Sequence, residues 1–290
     1  MPLSLTRRDV LQGALAGSAL LALPAWAVNF AASEFEKIER THGITLGVYG
    51  LDTGSGRHLA YRAEQRFALC STFKVMLAAA VLQRSQDEPG LLARQIVYDA
   101  TALVVYSPVT ERHVGSGMSV ADLCAAALQY SDNTAANLLL DLLGGPSELT
   151  AFARRQGDSV FRLDRNEPSL NTALPDDSRD TSTPQAMAMS IRRLALDEGL
   201  ERPAQQQLQI WLRGNTTGAK RIRAGVPDAW QVGDKTGSGD YGVANDVAVL
   251  WPPGRAPWVL AVYTRGNDAK SPWRDAALAQ ASAVVVAALG

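Results

Sequence analysis

The chain has 290 residues, of which 47% are hydrophobic and 20% are charged, and its formal net charge at pH 7 is -1. This size allows a large buried core in one large or two interleaved domains. A nearly neutral chain lacks the basic stripe of nucleic-acid-binding or membrane-surface proteins, so nucleic acid is not an expected partner. The three histidines, His42, His58 and His113, are not in metal-ligand spacing, which argues against a zinc hydrolase.

The N-terminal segment has the pattern of an export signal. Arg7 and Arg8 precede an apolar stretch that is too short for a comfortable membrane span, and Ala25–Ala27 supplies a small-x-small cleavage site. The paired arginines favour the twin-arginine route, with the general secretory route as the alternative. We therefore expect residues 1–27 to be removed and the mature protein, which begins at Val28, to be periplasmic.

The predicted elements follow the order helix, strands, helices, strands, helix. A first helix is expected over 32–43, and β-patterned runs at 44–51 and 57–62 flank a glycine-rich turn that indicates a hairpin. Residues 71–213 are nearly all helical in pattern. Strand patterns return in 229–266, and an apolar helix closes the chain.

This order predicts a two-domain α/β (α+β) fold. If the two strand groups pair in one antiparallel sheet, the terminal helices can cover its face and the helical middle becomes an inserted all-α domain. The α/β domain would be discontinuous, from residues 28–68 and 215–290, and the all-α domain would span 69–214. The latter includes 162–180, an irregular loop with two prolines, of a length that is often functional. The boundary between the domains is a natural cleft.

Ser71 and Lys74 are the first candidate catalytic pair. Ser71 opens the apolar helical run "STFKVMLAAAVLQR", and Lys74 follows at i+3 on the same face. The structural alternative is an N-cap serine and a lysine whose ammonium group reaches solvent. However, a lysine in such an apolar helix is partly desolvated, which lowers its pKa until it can accept a proton from the serine.

Other motifs also place polar residues at special positions. Ser131-Asp132-Asn133 lies between two helical runs, where the alternative is a capping turn. Lys235-Thr236-Gly237 lies in a strand pattern, where the alternative is an exposed edge lysine followed by a turn. Glu167-Pro168-Ser169-Leu170-Asn171 lies in the irregular loop, where the alternative is a solvated acidic residue. Each alternative is plausible for its motif alone.

Together, and in this order, the motifs Ser-x-x-Lys, Ser-Asp-Asn, Glu-Pro-x-x-Asn and Lys-Thr-Gly resemble those of the class A serine β-lactamases. The resemblance covers nearly the whole mature chain. It implies the penicillin-recognising fold and hydrolysis of the β-lactam amide of penicillins and cephalosporins, with resistance as the outcome. It also implies a monomer that binds a small-molecule β-lactam, without a metal, an organic cofactor or a stable membrane association.

The same resemblance implies the catalytic roles. Ser71 is expected to be acylated, Lys74 to relay its proton, and Ser131 to pass a proton to the β-lactam nitrogen. Glu167, held by Asn171, is expected to activate the water that releases the acyl group. Whether Glu167 or Lys74 is the base in acylation stays open.

The residues that the resemblance implies for substrate binding are Tyr106, Asn133, Asn171, Arg221, Lys235, Thr236 and Ser238. Asn133 is expected to hold the acylamide side chain, and Tyr106 to line the entrance. Lys235, Thr236 and Ser238 are expected to bind the substrate carboxylate, with Arg221 as a further anchor. The main-chain N–H groups of Ser71 and Ser238 are expected to form the oxyanion hole.

The family pattern also predicts how the irregular loop is held, and where this chain departs from it. Arg165 and Asp180 are expected to pair across the neck of the loop, and the bond before Pro168 is expected to be cis. The chain has Ala78 and Gly239 where subsets of the family carry the disulfide partners of Cys124 and Cys70. The carbapenem-hydrolysing subset with the second bridge is therefore disfavoured, and the Lys-Thr-Gly-Ser-Gly-Asp run resembles that of extended-spectrum members active on cephalosporins.

Two other functions remain alternatives. A DD-peptidase that acts on peptidoglycan shares the serine, lysine and Lys-Thr-Gly elements but stalls as an acyl-enzyme. A non-catalytic β-lactam sensor would be acylated once and stay trapped. Glu167 argues against the DD-peptidase, because it supplies the base that deacylation needs. A sensor would usually need a fused membrane or signalling segment, for which the sequence shows no pattern.

Overall fold

The computed structural model describes residues 24–290. Its strands are β1 (Ile44–Asp52), β2 (His58–Tyr61), β3 (Phe67–Ala68), β4 (Gln95–Ile96), β5 (Met118–Ser119), β6 (Thr181–Ser182), β7 (Gln231–Ser238), β8 (Ala244–Trp251) and β9 (Trp258–Gly266). Its α-helices are α1 (Ala25–His42), α2 (Lys74–Asp87), α3 (Val120–Gln129), α4 (Asn133–Leu143), α5 (Pro146–Arg155), α6 (Pro184–Ala195), α7 (Arg202–Arg213) and α8 (Asp275–Leu289). The elements follow the order predicted from the sequence, which is helix, strands, helices, strands, helix.

The main sheet joins strands from both ends of the chain. It has five strands in the order β2-β1-β9-β8-β7, and every neighbouring pair is antiparallel. The long β1–β9 pairing, in which Tyr49 lies opposite Ala261, connects the two strand groups that lie on either side of the helical middle. The predicted antiparallel sheet is therefore confirmed.

The two faces of this sheet pack against different helices, because side chains alternate along a strand. On one face, Leu46 and Val262 pack with Phe35 of α1 and Leu278 of α8. On the other face, residues of β1, β8 and β9 join the core that contains α6 and the helical middle; they include Tyr49, Leu51, Val247, Val249 and Tyr263. The terminal helices thus cover one face, as predicted.

Helix α2 is the centre of the helical domain. It contacts α3, α4, α5, α6 and α7, and every residue from Lys74 to Leu82 is buried. A helix surrounded on all sides must be apolar on all sides, which explains the run of alanines and branched residues. A lysine at its first position is consequently buried as well.

Helix α1 begins at Ala25, several residues before the predicted first helix. The predicted cleavage after Ala27 would fall in its first turn, and the rest of the predicted export signal lies outside the described residues. None of the described helices is both long and apolar enough to cross a membrane.

Both cysteines are buried and free. Cys124 lies inside α3 with none of its surface exposed, as a small side chain of the core. Ala78 lies in the neighbouring helix α2, so the disulfide known at this place in part of the family that the sequence resembles is absent.

A short 3₁₀ turn, Ile222–Gly225, packs closely on α8. A Cβ placed on Gly225 would lie 2.0 Å from the main-chain oxygen of Ala279. Since that neighbour is backbone, the turn can approach α8 only with glycine at this position.

We expect Gly225→Ala to lower the free energy of unfolding by about 1–3 kcal/mol, because the added methyl group overpacks against the α8 backbone. Urea unfolding followed by circular dichroism measures the change. Ala224→Ser, at the exposed neighbouring position, is the control and should stay within about 0.5 kcal/mol of the parent. Equal stability of Gly225→Ala and the parent would contradict the close packing.

Candidate active site

Ser71 lies in a 3₁₀ turn, Cys70–Phe73, that leads directly into α2. The turn is fixed on both sides of the serine. Cys70 has a positive φ of 43°, and the hydroxyl of Thr72 donates to the carbonyl oxygen of Leu69 at 2.7 Å. The α-helix therefore starts at Lys74, three residues later than the sequence pattern suggests, and Ser71 is held just before it.

The ammonium group of Lys74 contacts four other residues of the site. Its Nζ donates to Ser71 Oγ at 3.0 Å, to the carbonyl oxygen of Ser131 at 2.8 Å and to Asn133 Oδ1 at 2.7 Å. It also lies 3.0 Å from Glu167 Oε1, and neither side chain of this ion pair is exposed. The alternative of a lysine that reaches solvent is therefore wrong.

Glu167 reaches Ser71 from the irregular loop. Its Oε1 accepts from Ser71 Oγ at 3.3 Å, and its Oε2 accepts from Asn171 Nδ2 at 2.5 Å. Asn137 of α4 holds the main chain of Glu167, since Oδ1 accepts from its N–H and Nδ2 donates to its carbonyl oxygen, both at 2.9 Å. The bond between Glu167 and Pro168 is cis, as predicted.

The neck of the loop is closed by the predicted ion pair. Arg165 Nε lies 2.5 Å from Asp180 Oδ2, and Asp180 Oδ1 accepts from the main-chain N–H groups of Asp164 and Arg165 at 2.7 and 2.9 Å. Asp180 is fully buried. Because Asp180 at one end of the loop bonds Asp164 and Arg165 at the other end, the two ends of the loop that carries Glu167 are held together.

Asp132 has the capping role that was the alternative interpretation of its motif. Its Oδ1 accepts from Ala135 N at 2.8 Å at the start of α4, and its Oδ2 accepts from Thr110 N at 2.9 Å. The residues on either side of it, Ser131 and Asn133, contact Lys74. The motif is thus a cap and part of the site at the same time.

Lys235 projects from β7 into the interior and is fully buried. Its Nζ donates to Ser131 Oγ at 3.0 Å and to the carbonyl oxygen of Thr236 at 2.7 Å. The alternative of an exposed edge lysine is wrong. Since Lys74 Nζ lies 3.5 Å from the same Ser131 Oγ, two buried amines converge on this hydroxyl group.

Burial shapes the proton affinity of both amines. It lowers the pKa of Lys74, and the carboxylate of Glu167 opposes this shift by favouring the charged form. Burial also brings the pKa of Lys235 well below its ordinary value, and the nearby ammonium group of Lys74 lowers it further. Both lysines are therefore easier to deprotonate than lysines on the surface.

Arg221 reaches the end of β7 from the 3₁₀ turn beside α8. Its Nη2 donates to Ser238 Oγ at 2.7 Å, and its Nη1 donates to the carbonyl oxygen of Gly237 at 2.8 Å. Its Nε pairs with Asp275 Oδ1 at 2.8 Å. The guanidinium group is thus fixed beside Ser238, so the two residues that the resemblance groups together are in contact.

These groups surround a cavity of about 300 Å³. The predicted residues that line it are Ser71, Tyr106, Ser131, Asn133, Asn171, Arg221, Thr236 and Ser238. Lys74, Glu167 and Lys235 lie behind this lining and contact it. The structure therefore brings together every site residue that the sequence indicated.

Strand β7 and the turn that carries Ser71 approach each other closely at Gly237. A Cβ on Gly237 would lie 2.8 Å from the carbonyl oxygen of Leu69 and 3.2 Å from the main-chain N of Ser71. Only glycine permits this separation. The main chain at the end of β7 consequently lies beside the main-chain N–H of the serine.

Three residues of the site, Asn137, Thr217 and Trp273, were not predicted from the sequence. Thr217 and Trp273 line the cavity, and Thr217 Oγ1 lies 2.5 Å from Thr236 Oγ1. Asn137 interrupts the apolar run of α4 with an amide side chain, so the sequence could have indicated a special role for it. Thr217 and Trp273 belong to no motif, so their sequence context gave no comparable signal.

Comparison with known proteins agrees with this geometry. The sequence model of the Beta-lactamase enzyme family matches residues 31–289. The chain is 53% identical to the Carbapenem-hydrolyzing beta-lactamase KPC of Klebsiella oxytoca, with 99% of both chains covered. It is 52% identical to Beta-lactamase CTX-M-8 of Citrobacter amalonaticus, with 86% of this chain and 85% of that protein covered.

A solved structure is also similar. It is the crystal structure of a β-lactamase from Desulfarculus baarsii DSM 2075, with a TM-score of 0.89, 54% identity, and coverage of 91% of this chain and 98% of that chain. Matches of this extent in sequence and in fold establish the family. The chain therefore belongs to the β-lactamase enzyme family, as a class A enzyme that hydrolyses the β-lactam amide and confers resistance to β-lactams.

Proposed function

We propose that the enzyme opens the β-lactam ring through an acyl-enzyme on Ser71, which a water activated by Glu167 then hydrolyses. The observation that carries this proposal is the convergence of an amine and a carboxylate on one hydroxyl group. Lys74 Nζ lies 3.0 Å and Glu167 Oε1 lies 3.3 Å from Ser71 Oγ. A serine becomes a nucleophile when an adjacent base takes its proton.

In acylation, Ser71 Oγ attacks the lactam carbonyl carbon and its proton passes to the Lys74–Glu167 pair. Both members contact the hydroxyl group, so Glu167 can accept the proton directly, and Lys74 can accept it once its own proton has passed to Glu167. The carbonyl oxygen becomes an oxyanion between the main-chain N–H groups of Ser71 and Ser238. The close approach at Gly237 supports this assignment, because it puts the end of β7 beside Ser71 N.

Ser131 is the proton donor to the lactam nitrogen in this mechanism. As the C–N bond breaks, the nitrogen takes the hydroxyl proton of Ser131, which is replaced by a proton from an adjacent ammonium group. Lys235 Nζ, at 3.0 Å, and Lys74 Nζ, at 3.5 Å, both lie within reach of that hydroxyl group. The lowered pKa of each lysine makes such a transfer easier.

Deacylation is the step assigned to Glu167 and Asn171. The amide nitrogen of Asn171 donates to Glu167 Oε2, while its buried Oδ1 accepts no hydrogen bond from any residue of the described chain. A water beside the Ser71 ester could donate one proton to Asn171 Oδ1 and the other to Glu167. The carboxylate would then remove the second proton as the water attacks the ester carbonyl carbon, and would return it to Ser71 Oγ as the C–Oγ bond breaks and the opened product leaves.

Substrate orientation is assigned to groups at the two ends of the cavity. Thr236, Ser238 and Arg221 offer hydroxyl and guanidinium donors for the β-lactam carboxylate, and Lys235 adds positive charge behind them. Asn133 is assigned to the acylamide side chain. Its Oδ1 is occupied by Lys74, so its Nδ2, which also donates to Val105 O at 2.9 Å, is the group left to donate to the substrate amide carbonyl.

The substrates proposed are penicillins and cephalosporins. KPC is named for carbapenem hydrolysis and is 53% identical to this chain. In this chain Cys70 is free and residue 239 is glycine, so the disulfide expected of a carbapenem-hydrolysing subset is absent. A trapped DD-peptidase or sensor is the alternative function, and the contact between Glu167 and Ser71 argues against it.

Replacement of Glu167 by alanine tests the deacylation role. We expect Glu167→Ala to lower kcat for benzylpenicillin about 10²- to 10⁴-fold, because the base that activates water is lost. Mass spectrometry should then show a persistent penicilloyl adduct on Ser71, whereas the parent shows only a transient one. Glu198→Ala removes an exposed carboxylate as the control. Turnover by Glu167→Ala at the parent rate would exclude Glu167 as the base.

The coupling of Lys74 to Glu167 has its own test. We expect Glu167→Gln to lower the pKa of Lys74 below its value in the parent, because the carboxylate that favours the ammonium form is gone while burial remains. Carbon-13 NMR of labelled lysine, with the Lys74 signal assigned from the Lys74→Arg spectrum, measures the titration. A Lys74 pKa that stays constant or rises would contradict the pairing.

We infer that the enzyme reaches the periplasm through the twin-arginine route and is processed before Val28. The support is the sequence pattern of residues 1–27. We expect replacement of both Arg7 and Arg8 by lysine to leave unprocessed precursor inside the cell. Fractionation and N-terminal sequencing test this, and a mature periplasmic protein from the double variant would instead indicate the general secretory route.

A further inference from the structure

Trp273 is a large aromatic side chain at the edge of the active-site cavity, outside every catalytic motif. It lines the cavity and is 59% exposed. Its indole Nε1 donates to the carbonyl oxygen of Gly239 at 2.9 Å. Within residues 24–290 the indole stacks on no other aromatic ring, and more than half of its surface is exposed.

The indole lies beside the groups proposed to bind the carboxylate. Gly239, which accepts its hydrogen bond, directly follows Ser238, and Ser238 Oγ accepts from Arg221. The other exposed aromatic residue of the lining is Tyr106, which is 57% exposed. Its carbonyl oxygen accepts from the main-chain N–H of Asn133 at 3.0 Å, so Tyr106 adjoins the proposed acylamide site instead.

The chemistry of cephalosporins tells which part of a substrate meets this indole. In the cephem nucleus the carbon that bears the carboxylate is bonded to C3, the carbon that bears a variable substituent. A residue beside the carboxylate site therefore faces that substituent, whereas the acylamide chain extends toward the opposite end of the molecule. In penicillins the corresponding position carries two methyl groups, which offer no planar surface.

We propose that Trp273 is a specificity-determining residue that binds the C3 substituent of cephalosporins by stacking, and that it favours planar cationic groups. This proposal rests on the carboxylate site of the proposed function. An indole face is the strongest natural partner for a cation in a cation–π contact. Asp240, an exposed residue, directly follows Gly239, whose carbonyl oxygen accepts the hydrogen bond of the indole, so an acidic residue adjoins this contact in the chain.

The surroundings hold the indole in place before a ligand arrives. The segment that carries it is bonded to the turn between β7 and β8, since Tyr241 N donates to Ala269 O at 3.2 Å and Gly266 N donates to Tyr241 O at 2.6 Å. A side chain that is already held in place loses little conformational entropy when a ligand binds. The contribution of the ring should therefore appear in affinity as well as in selectivity.

The test compares two cephalosporins that share one acylamide chain and differ at C3, where one carries a pyridiniomethyl group and the other a methyl group. We expect Trp273→Ala to lower kcat/KM for the pyridinium substrate about five- to twentyfold, mainly through KM, and for the methyl substrate less than twofold. Trp273→Phe keeps a ring without the N–H donor and should retain most of the preference. Ile210→Ala, at a 56% exposed position on α7, is the control.

Equal losses for both substrates with Trp273→Ala, or no loss for either, would overturn the proposal. A preference lost equally in Trp273→Phe and Trp273→Ala would also overturn it, because the hydrogen bond to Gly239 would then be the cause. The proposed function is checked separately by transient acylation of Ser71 in the parent enzyme. Ser238→Ala should raise KM for both substrates alike if the carboxylate binds where we assign it.

Discussion

The arrangement of the site depends on one buried ion pair, between Lys74 and Glu167. Burial of each charge costs several kcal/mol of lost hydration unless protein groups replace the hydrogen bonds that water made. A buried ion pair is therefore stable only when nearly all of its hydrogen-bonding groups have partners. Here the ammonium group has Ser71, Ser131 and Asn133 as acceptors, and the carboxylate has Asn171 and Ser71 as donors. The pair therefore requires α2, the start of α4 and the irregular loop to meet at one point. Removal of either partner leaves the other charge buried without compensation.

Several local structures keep that meeting point fixed. Helix α2 is surrounded by other helices and cannot turn to expose Lys74. Asp132 caps α4 and bonds the chain at Thr110, which sets the positions of its neighbours Ser131 and Asn133. Asp180 closes the neck of the loop, while Asn137 holds the main chain of Glu167. Most of these bonds join side chains to backbone, so the positions of the catalytic groups depend on polar contacts that a hydrophobic core alone would not specify.

The sequence was sufficient for the order of elements, the antiparallel sheet and the residues gathered around the cavity, because periodicity and capping patterns are local and the motifs are specific. It was insufficient where position depends on distant contacts. The α-helix starts at Lys74 instead of Ser71, since the preceding turn is bonded to Leu69 and packed against β7. Thr217 and Trp273 reach the cavity only through tertiary packing. For the Ser-Asp-Asn motif, the capping and catalytic interpretations were treated as alternatives although both apply. Asp132 caps α4, whereas Ser131 and Asn133 contact Lys74.

The turn between β7 and β8 links parts of the enzyme that perform different tasks. Asp240 N donates to Asn171 O at 2.9 Å, so the turn is bonded to the loop that carries Glu167, while Trp273 and Ala269 bond it to the segment before α8. The residues proposed to contact the substrate's periphery are therefore hydrogen-bonded, through this turn, to the residues proposed to activate the deacylating water. A substitution in this turn that makes room for a bulkier antibiotic therefore alters a segment that is also bonded to Asn171. Adaptation to a new drug and the speed of turnover on old ones are consequently not independent properties of this protein, and gains in breadth should carry a loss in rate.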